Sequence, residues 1–323
     1  MSDSFKTVFI ANNLSDVFYH LNNVANLQII GGATQVDELA EESLSIKNVP
    51  ELKHIDKHET YIDFGPAVTL SQMLELEHNY LPQVLKDAIK SVGFYSVRNM
   101  ATLGGNICAK GFKHTLWAPL LALNAYLEFK REKNLKQTNN FKFIKQKDTK
   151  LIPFDSFTEI PPKYVLTNIR VSLQDWDVSI FKRLGPSNKI TNLSASFVFL
   201  VNTQKNIITN FKLVFSGPIV FHSRELENRL ISAKLPLEKE VVVKFVEDAE
   251  RIYDKEFSLD YVSPILKLEF LNLLRNSLEE LRWFLNLLCW TGHWATEKVS
   301  FYQHTIAVTK KSIFFFYRLL VSI

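Results

Sequence analysis

The chain has 323 residues, 46% apolar and 22% charged, a composition that suits two or three folded units with sizeable cores and excludes a disordered chain. Lys and Arg number 38 against 34 Asp and Glu, so a net charge of only +4 argues against a nucleic-acid binder. Two cysteines, Cys108 and Cys289, are too few for a disulfide framework or for the four thiolates that an iron–sulfur cluster takes.

The opening MSDSFKTVFI lacks the charged and apolar stretches of a secretory leader, and no run reaches the roughly 18 apolar residues of a membrane span, so a cytoplasmic protein is expected. Thr7 to Ala11 reads as a short buried strand. Ser15 can cap a following helix whose apolar face holds Val17, Phe18 and Leu21. Leu27 to Ile30 is a second apolar run that ends in Gly31-Gly32, and Leu44 to Val49 alternates as a strand does. These pieces suggest an αβ unit over residues 1–55. HETYIDFGPAVT then predicts a hairpin, and helices are expected over Ser71–Leu76 and Leu81–Val92. VRNMATLGGNIC carries a second glycine pair in a polar, turn-prone segment. Trp117–Asn124 reads as a short helix, Ala125–Phe129 as a strand and the polar stretch Arg131–Lys150 as an exposed hairpin or loop, closing a unit at about residue 159.

From Tyr164 the pattern turns to strands: YVLTNIRVSL, VSIFKRL, SASFVFLVN and ITNFKLVFSG predict an antiparallel meander. Ser223 can cap RELENRLI, Val241–Ile252 is amphipathic and Ile265–Leu288 is a long helix, so residues 160–282 read as a sheet covered by helices. The stretch 283–323 is rich in aromatics, among them Trp283, Trp290, Trp294, Phe314, Phe315 and Phe316. Two readings stand for it: a tail packed on its own unit, or an apolar contact for a partner.

Ten glycines occur in the chain, and four of them form the doublets Gly31-Gly32 and Gly104-Gly105, beside Thr34, Gln35, Thr102 and Asn106. Glycine lets backbone amides approach a ligand closely, so the doublets read either as two tight turns or as an anion nest around a diphosphate. G-x-G-x-x-G, the P-loop, H-E-x-x-H and C-x-x-C are all missing. His54 and His58 stand four apart in a loop or strand, which does not make a metal site. Cys108 reads as a small buried residue rather than a nucleophile.

With their flanks, the doublets resemble the FAD-binding subunit of the molybdenum hydroxylases, the family of the xanthine dehydrogenases and the carbon monoxide dehydrogenase medium subunit. NLQIIGGATQVDEL is similar to its first flavin loop, usually an apolar strand followed by A-G-G-T-D-L. SVRNMATLGGNICAK matches its second loop, I-R-N-x-A-T-I-G-G-N-I, nearly residue for residue from Val97 to Ile107. TLWAPLLAL, IFKRLGPSNKITNLSASF and SGPIVFHSRELENRLI resemble later family segments, so the likeness runs over about residues 5–282. Four places depart from the family pattern: Ala33, Thr115 in place of an acid, Ser187-Asn188 in place of paired arginines, and everything beyond about residue 282.

The resemblance implies an α+β fold. Its parts are a two-subdomain FAD-binding module of the vanillyl-alcohol-oxidase-like, PCMH-type kind (1–55 and 56–159) and a C-terminal antiparallel sheet covered by helices. It implies that FAD is held at Ile30, Gly31, Gly32, Ala33, Thr34, Gln35 and Val36 of the first loop and at Thr102, Leu103, Gly104, Gly105, Asn106 and Ile107 of the second. Backbone amides of both loops would grip the pyrophosphate. Thr115 and Leu166 fall at further cofactor positions, and the family's cation beside the flavin ring falls on Arg183 or, one register away, on Lys182. The implied function is electron transfer in an oxidoreductase active only in complex. A molybdopterin-binding large subunit and a [2Fe–2S] small subunit would feed FAD, and an acceptor such as NAD+ would drain it. No acid or base catalyst and no metal ligand is required. Two alternatives stay open: a stand-alone FAD-dependent oxidoreductase of the same fold, and a non-enzymatic scaffold that has lost FAD.

Overall fold

A computed structural model describes residues 6–35, 38–136, 143–186, 189–257 and 263–290, with the side chains of 78, 133–136, 143–146 and 283–290 left aside. Strand β1 (Thr7–Ile10), helix α1 (Leu14–Asn23), β2 (Gln28–Ile30) and β3 (Glu42–Ser45) build a parallel sheet in the order β1-β3-β2. Leu44 of the central strand is fully buried with Val17 and Phe18 of α1. β1 is an edge strand, which leaves Val8 and Ile10 48% and 60% exposed where a buried strand was expected. The cap of α1 is Asn13, whose Oδ1 accepts the Asp16 amide at 2.9 Å, so Ser15 falls inside the helix instead. β3 ends at Ser45 rather than at Val49, because Lys47 and Asn48 form a turn.

A second, five-stranded sheet follows. It holds β4 (Ile55–Lys57) and β5 (Tyr61–Phe64), then β6 (Tyr126–Lys136), β7 (Phe143–Pro153) and β8 (Val165–Ser172), in the order β4-β5-β8-β6-β7 with every neighbour antiparallel. The polar stretch from Arg131 is thus the far part of a long β6–β7 hairpin, with residues 137–142 outside the described residues. One face of the sheet packs Ile62, Phe64, Leu127, Phe129, Ile169 and Val171 onto short helices. These are α2 (Leu70–Leu74), α3 (Gln83–Lys90), α4 (Tyr95–Met100), α5 (Leu103–Cys108) and α6 (Trp117–Ala122). The outer face carries the bidentate pair of Arg170 with Asp63, whose carboxyl is held below its ordinary range by that guanidinium even though burial pushes the other way.

The third sheet runs β12-β11-β10-β9, from β9 (Val178–Leu184), β10 (Ala195–Gln204), β11 (Ile207–Ser216) and β12 (Val220–Phe221). The expected meander is therefore one strand shorter at its start: β8 pairs with β5 and β6, not with β9. Alternation along β10 explains the placement of this sheet. Val198 and Leu200 face the second sheet's core, while Phe197, Phe199 and Val201 face α7 (Arg224–Leu230), α8 (Lys239–Glu256) and α9 (Pro264–Trp290). Ser223 caps α7 as expected, accepting the Leu226 amide. Phe270 of α9 is fully buried against Phe197, Phe215, Phe221 and Tyr253, so truncating it to alanine is expected to cost about 3–5 kcal/mol. The aromatic stretch from Trp283 lies outside the residues whose side chains are described. Among the described residues no helix is long and apolar enough to cross a membrane.

Candidate functional site

β2 delivers Gly31-Gly32 to the side of the second doublet. A Cβ on Gly31 would stand 2.6 Å from Thr102 Oγ1, and one on Gly32 would overlap the carbonyl of Met100. Thr102 is buried and caps α5, its Oγ1 accepting the Gly105 amide at 3.1 Å. The second doublet is wedged on its other side by residues 66–70. Gly104 donates to Pro66 O and Leu103 to Val68 O, both at 2.9 Å, while Leu70 donates to Ala101 O. A Cβ on Gly104 would stand 2.6 Å from Pro66 Cβ. None of the four glycines takes a left-handed φ; Gly31, Gly32 and Gly104 are explained by close approach of another segment, and Gly105 by the capping hydroxyl of Thr102. The doublets interlock the loops instead of forming separate tight turns. The segment expected as a polar turn is two short helices, α4 and α5, joined at this contact.

The interlock changes which amides are available. Those of Leu103, Gly104, Gly105 and Asn106 all donate within the protein, so the expectation that the second loop offers its amides to a diphosphate is not met. In the first loop, no hydrogen bond among the described residues takes the amides of Gly32 or Ala33. Ala33, Thr34 and Gln35 are exposed there, Ile30 is buried, and Val36 lies outside the described residues. Ala33 adopts φ 54°, a left-handed conformation that costs a residue with a Cβ about 1–2 kcal/mol.

Sequence reading missed Lys47. It is exposed at the turn after β3, and its Nζ lies 3.8 Å from the Sδ of Met100, the residue whose carbonyl Gly32 meets. No local pattern marks it. The signal is the pairing of β2 with β3, which carries the residues after both strands to one edge.

The remaining candidates divide into supports and surfaces. Asn106 Oδ1 accepts the Leu116 amide at 3.1 Å, and Trp117 Nε1 donates to Ile107 O at 3.0 Å, tying α5 to α6. Cys108 closes α5, and burial pushes its thiol up to about 12, which leaves it no nucleophile. Thr115 and Leu166 are buried, Leu166 in the main core. Lys182 and Arg183 are neighbours on β9 and so point to opposite faces. Lys182 is opposite Phe197, on the face covered by helices. Arg183 is opposite Ser196, on the face of Phe181, which packs toward the second sheet's core. Burial holds the Arg183 guanidinium below its ordinary value. His54 is engaged by Glu51 O and Asn168 Oδ1, and His58 stacks on Tyr61. Among the described residues no cluster of His, Cys, Asp or Glu could hold a metal.

Residues 3–172 match the family described as the FAD binding domain in molybdopterin dehydrogenase. Among solved structures, a carbon monoxide dehydrogenase chain from Hydrogenophaga pseudoflava aligns with TM-score 0.69 and 14% identity, over 86% of this chain and 97% of that one. Quinoline 2-oxidoreductase from Pseudomonas putida 86 aligns with TM-score 0.67 and 12% identity, over 86% and 96%. Both likenesses concern the fold. In sequence, the chain is 24% identical to abscisic-aldehyde oxidase of Arabidopsis thaliana over 228 residues, 62% of this chain and 16% of that protein. It is 33% identical to indole-3-acetaldehyde oxidase of Zea mays over 78 residues, 24% of this chain and 6% of that protein. The chain thus spans less than a fifth of each of these oxidases.

Proposed function

From the premise that this chain belongs to the family of FAD-binding domains of molybdopterin dehydrogenases, we propose that it is the electron-transfer flavoprotein subunit of a molybdopterin-dependent hydroxylase or dehydrogenase. FAD is the cofactor of this domain. The residues present fit such a group: in the first loop no hydrogen bond among the described residues takes the amides of Gly32 or Ala33, and Ala33, Thr34 and Gln35 are exposed.

In this reading the first loop binds the diphosphate through the amides of Gly32 and Ala33, with Thr34 and Gln35 beside them. Thr102, whose Oγ1 already accepts from Gly105, has its hydroxyl proton left to donate toward Gly31. Leu103, Gly104, Asn106 and Ile107 hold Thr102 and Gly105 in place. Lys47 adds positive charge at the same edge. Arg183 is the cation toward the flavin ring, where a positive charge favours the reduced anionic form; Lys182 is on the other face of the strand. FAD supplies redox chemistry when bound, and the chain supplies its position and its electrostatics.

The two cysteines of this sequence are too few to ligate an iron–sulfur cluster, and in this reading the electron donor is a separate [2Fe–2S] subunit, reduced in turn by a molybdopterin-binding subunit. NAD+ is the acceptor proposed, in a cytoplasmic complex. The same reading divides the chain into FAD-binding subdomains over 1–55 and 56–159 and a C-terminal unit over 160–282. β8, which this division leaves in the C-terminal unit, pairs with β5 and β6 of the second sheet.

The observation that carries the proposal is the contact of Gly31 and Gly32 with Met100–Thr102, which brings two distant loops to one edge. The test is native purification of the full chain. A yellow protein whose flavin absorbance bleaches on reduction is expected, together with capture of a molybdopterin protein and an iron–sulfur protein from the source cell. A colourless chain that takes up no added FAD would falsify it.

A further inference from the structure

The chain carries three methionines, Met1, Met73 and Met100. Met1 lies outside the described residues and Met73 is fully buried, while Met100, the last residue of α4, is 41% exposed. The backbone there is fixed on both sides. The Met100 carbonyl meets Gly32, the Ala101 amide donates to Val97 O at 2.7 Å, and Ala101 O accepts from Leu70. What faces solvent is a thioether on a flexible stem, a soft and oxidisable group.

One cation stands against that sulfur. Lys47 Nζ donates to Met100 Sδ at 3.8 Å, and among the described residues no carboxylate forms an ion pair with it. A thioether is a weak acceptor, so this contact holds the lysine loosely. A sulfoxide carries a polar oxygen on the same sulfur, and a bond to that oxygen from an ammonium is charge-assisted, shorter and stronger. The two residues come from segments that the glycine interlock brings together. A firm bond between them would tie the turn after β3 to the end of α4, at the contact that also holds Gly32.

We infer that Met100 is an oxidation site that takes one oxygen atom from hydrogen peroxide, and that its sulfoxide captures Lys47 beside the first glycine loop. The sulfur lone pair attacks one peroxide oxygen, so a sulfur–oxygen bond forms and the oxygen–oxygen bond breaks. The electron pair leaves on the second oxygen, which also takes the first oxygen's proton and departs as water. Sulfur loses two electrons, peroxide gains two, and nothing else is consumed. A methionine sulfoxide reductase reverses the change. Oxidation and capture stand on the geometry alone. Their effect on a ligand rests on the FAD reading above: a captured Lys47 no longer lends its charge to the diphosphate.

The test treats the full chain with hydrogen peroxide and reads three signals. Peptide masses are expected to show one added oxygen on Met100 while Met73 stays unmodified. Acylation of Lys47 by an amine-reactive ester is expected to slow about threefold after oxidation, because a bonded ammonium must first break free, while the exposed Lys53 is acylated as before. Reductase treatment restores the original rate, and in Met100→Leu peroxide leaves Lys47 labelling unchanged. FAD binding at low salt is expected to weaken about threefold on oxidation, with no further loss when the Lys47→Ala chain is oxidised. Oxidation of Met73 as fast as Met100, equal labelling of Lys47 before and after oxidation, or an equal slowing at Lys53 overturns the inference. Failure of the unaltered chain to bind FAD strikes the cofactor reading and not the capture, which the labelling decides.

Discussion

The first loop, residues 31–35, leaves Ala33, Thr34 and Gln35 in solvent, whereas the second, residues 102–107, hides every residue but Gly105. Both carry a glycine doublet and both flank the same contact. In the second loop the amides are consumed by Pro66, Val68 and Thr102, and the glycine at 104 exists so that Pro66 can approach. In the first, no hydrogen bond among the described residues takes the amides of Gly32 or Ala33, and a residue with a Cβ is held in a left-handed turn. A doublet is therefore not one device. The buried loop is a wedge that sets position, and the exposed loop is the surface left over for a ligand.

Substitutions break this contrast in order of how much backbone they displace. Gly32→Val drives a side chain into the Met100 carbonyl, and a loss of about 3 kcal/mol or more is expected in urea unfolding, with FAD no longer retained. Gly104→Ala meets Pro66 Cβ at 2.6 Å and Pro66 O at 2.8 Å, and should cost about 1–3 kcal/mol. If either variant melts like the original chain, the interlock is wrong. Thr102→Val keeps the shape but removes the cap of α5, and about 1 kcal/mol of stability should go, along with part of the FAD affinity. Ala33→Gly should act the other way, stabilising by about 0.5–1 kcal/mol as the left-handed strain is relieved; a loss of stability there would show that the turn is not strained. Lys47→Ala should leave the melting temperature alone and weaken FAD binding about threefold at low salt. That difference should vanish as ionic strength rises, since an exposed charge is screened. A salt-independent effect would place Lys47 elsewhere than beside the diphosphate.

Much of the secondary structure was legible because it is set locally. The period of apolar residues announced α3, α8 and α9, and alternation announced β9, β10 and β11. Ser223 was readable as a cap because its sequence context is complete within four residues. Asn13 was not chosen over Ser15 because both are good caps, and only the packing of Val17 and Phe18 decides where the helix begins. The exposure of β1 was not legible, since an edge strand and a central one share the same apolar run and differ only in their neighbours. Nor could β8 be assigned. Its alternation fits either sheet, and its register with Tyr61–Phe64 and Tyr126–Lys130 is a matter of contacts about a hundred residues and forty residues away.

By itself the sequence determined that two glycine doublets sit in segments resembling a flavin-binding family, that this resemblance makes FAD the group to expect, and that its two cysteines are too few to ligate an iron–sulfur cluster. The first two come from the resemblance and the third from a count of cysteines, and none of them needs a fold. Only the tertiary structure decided that the doublets touch, that the second one's amides are already engaged, that Lys47 stands beside them, and that Arg183 rather than Lys182 shares a face with Ser196 and Ser216. Each of those depends on strand register and on the meeting of segments far apart in the chain, and neither is encoded in any one local stretch.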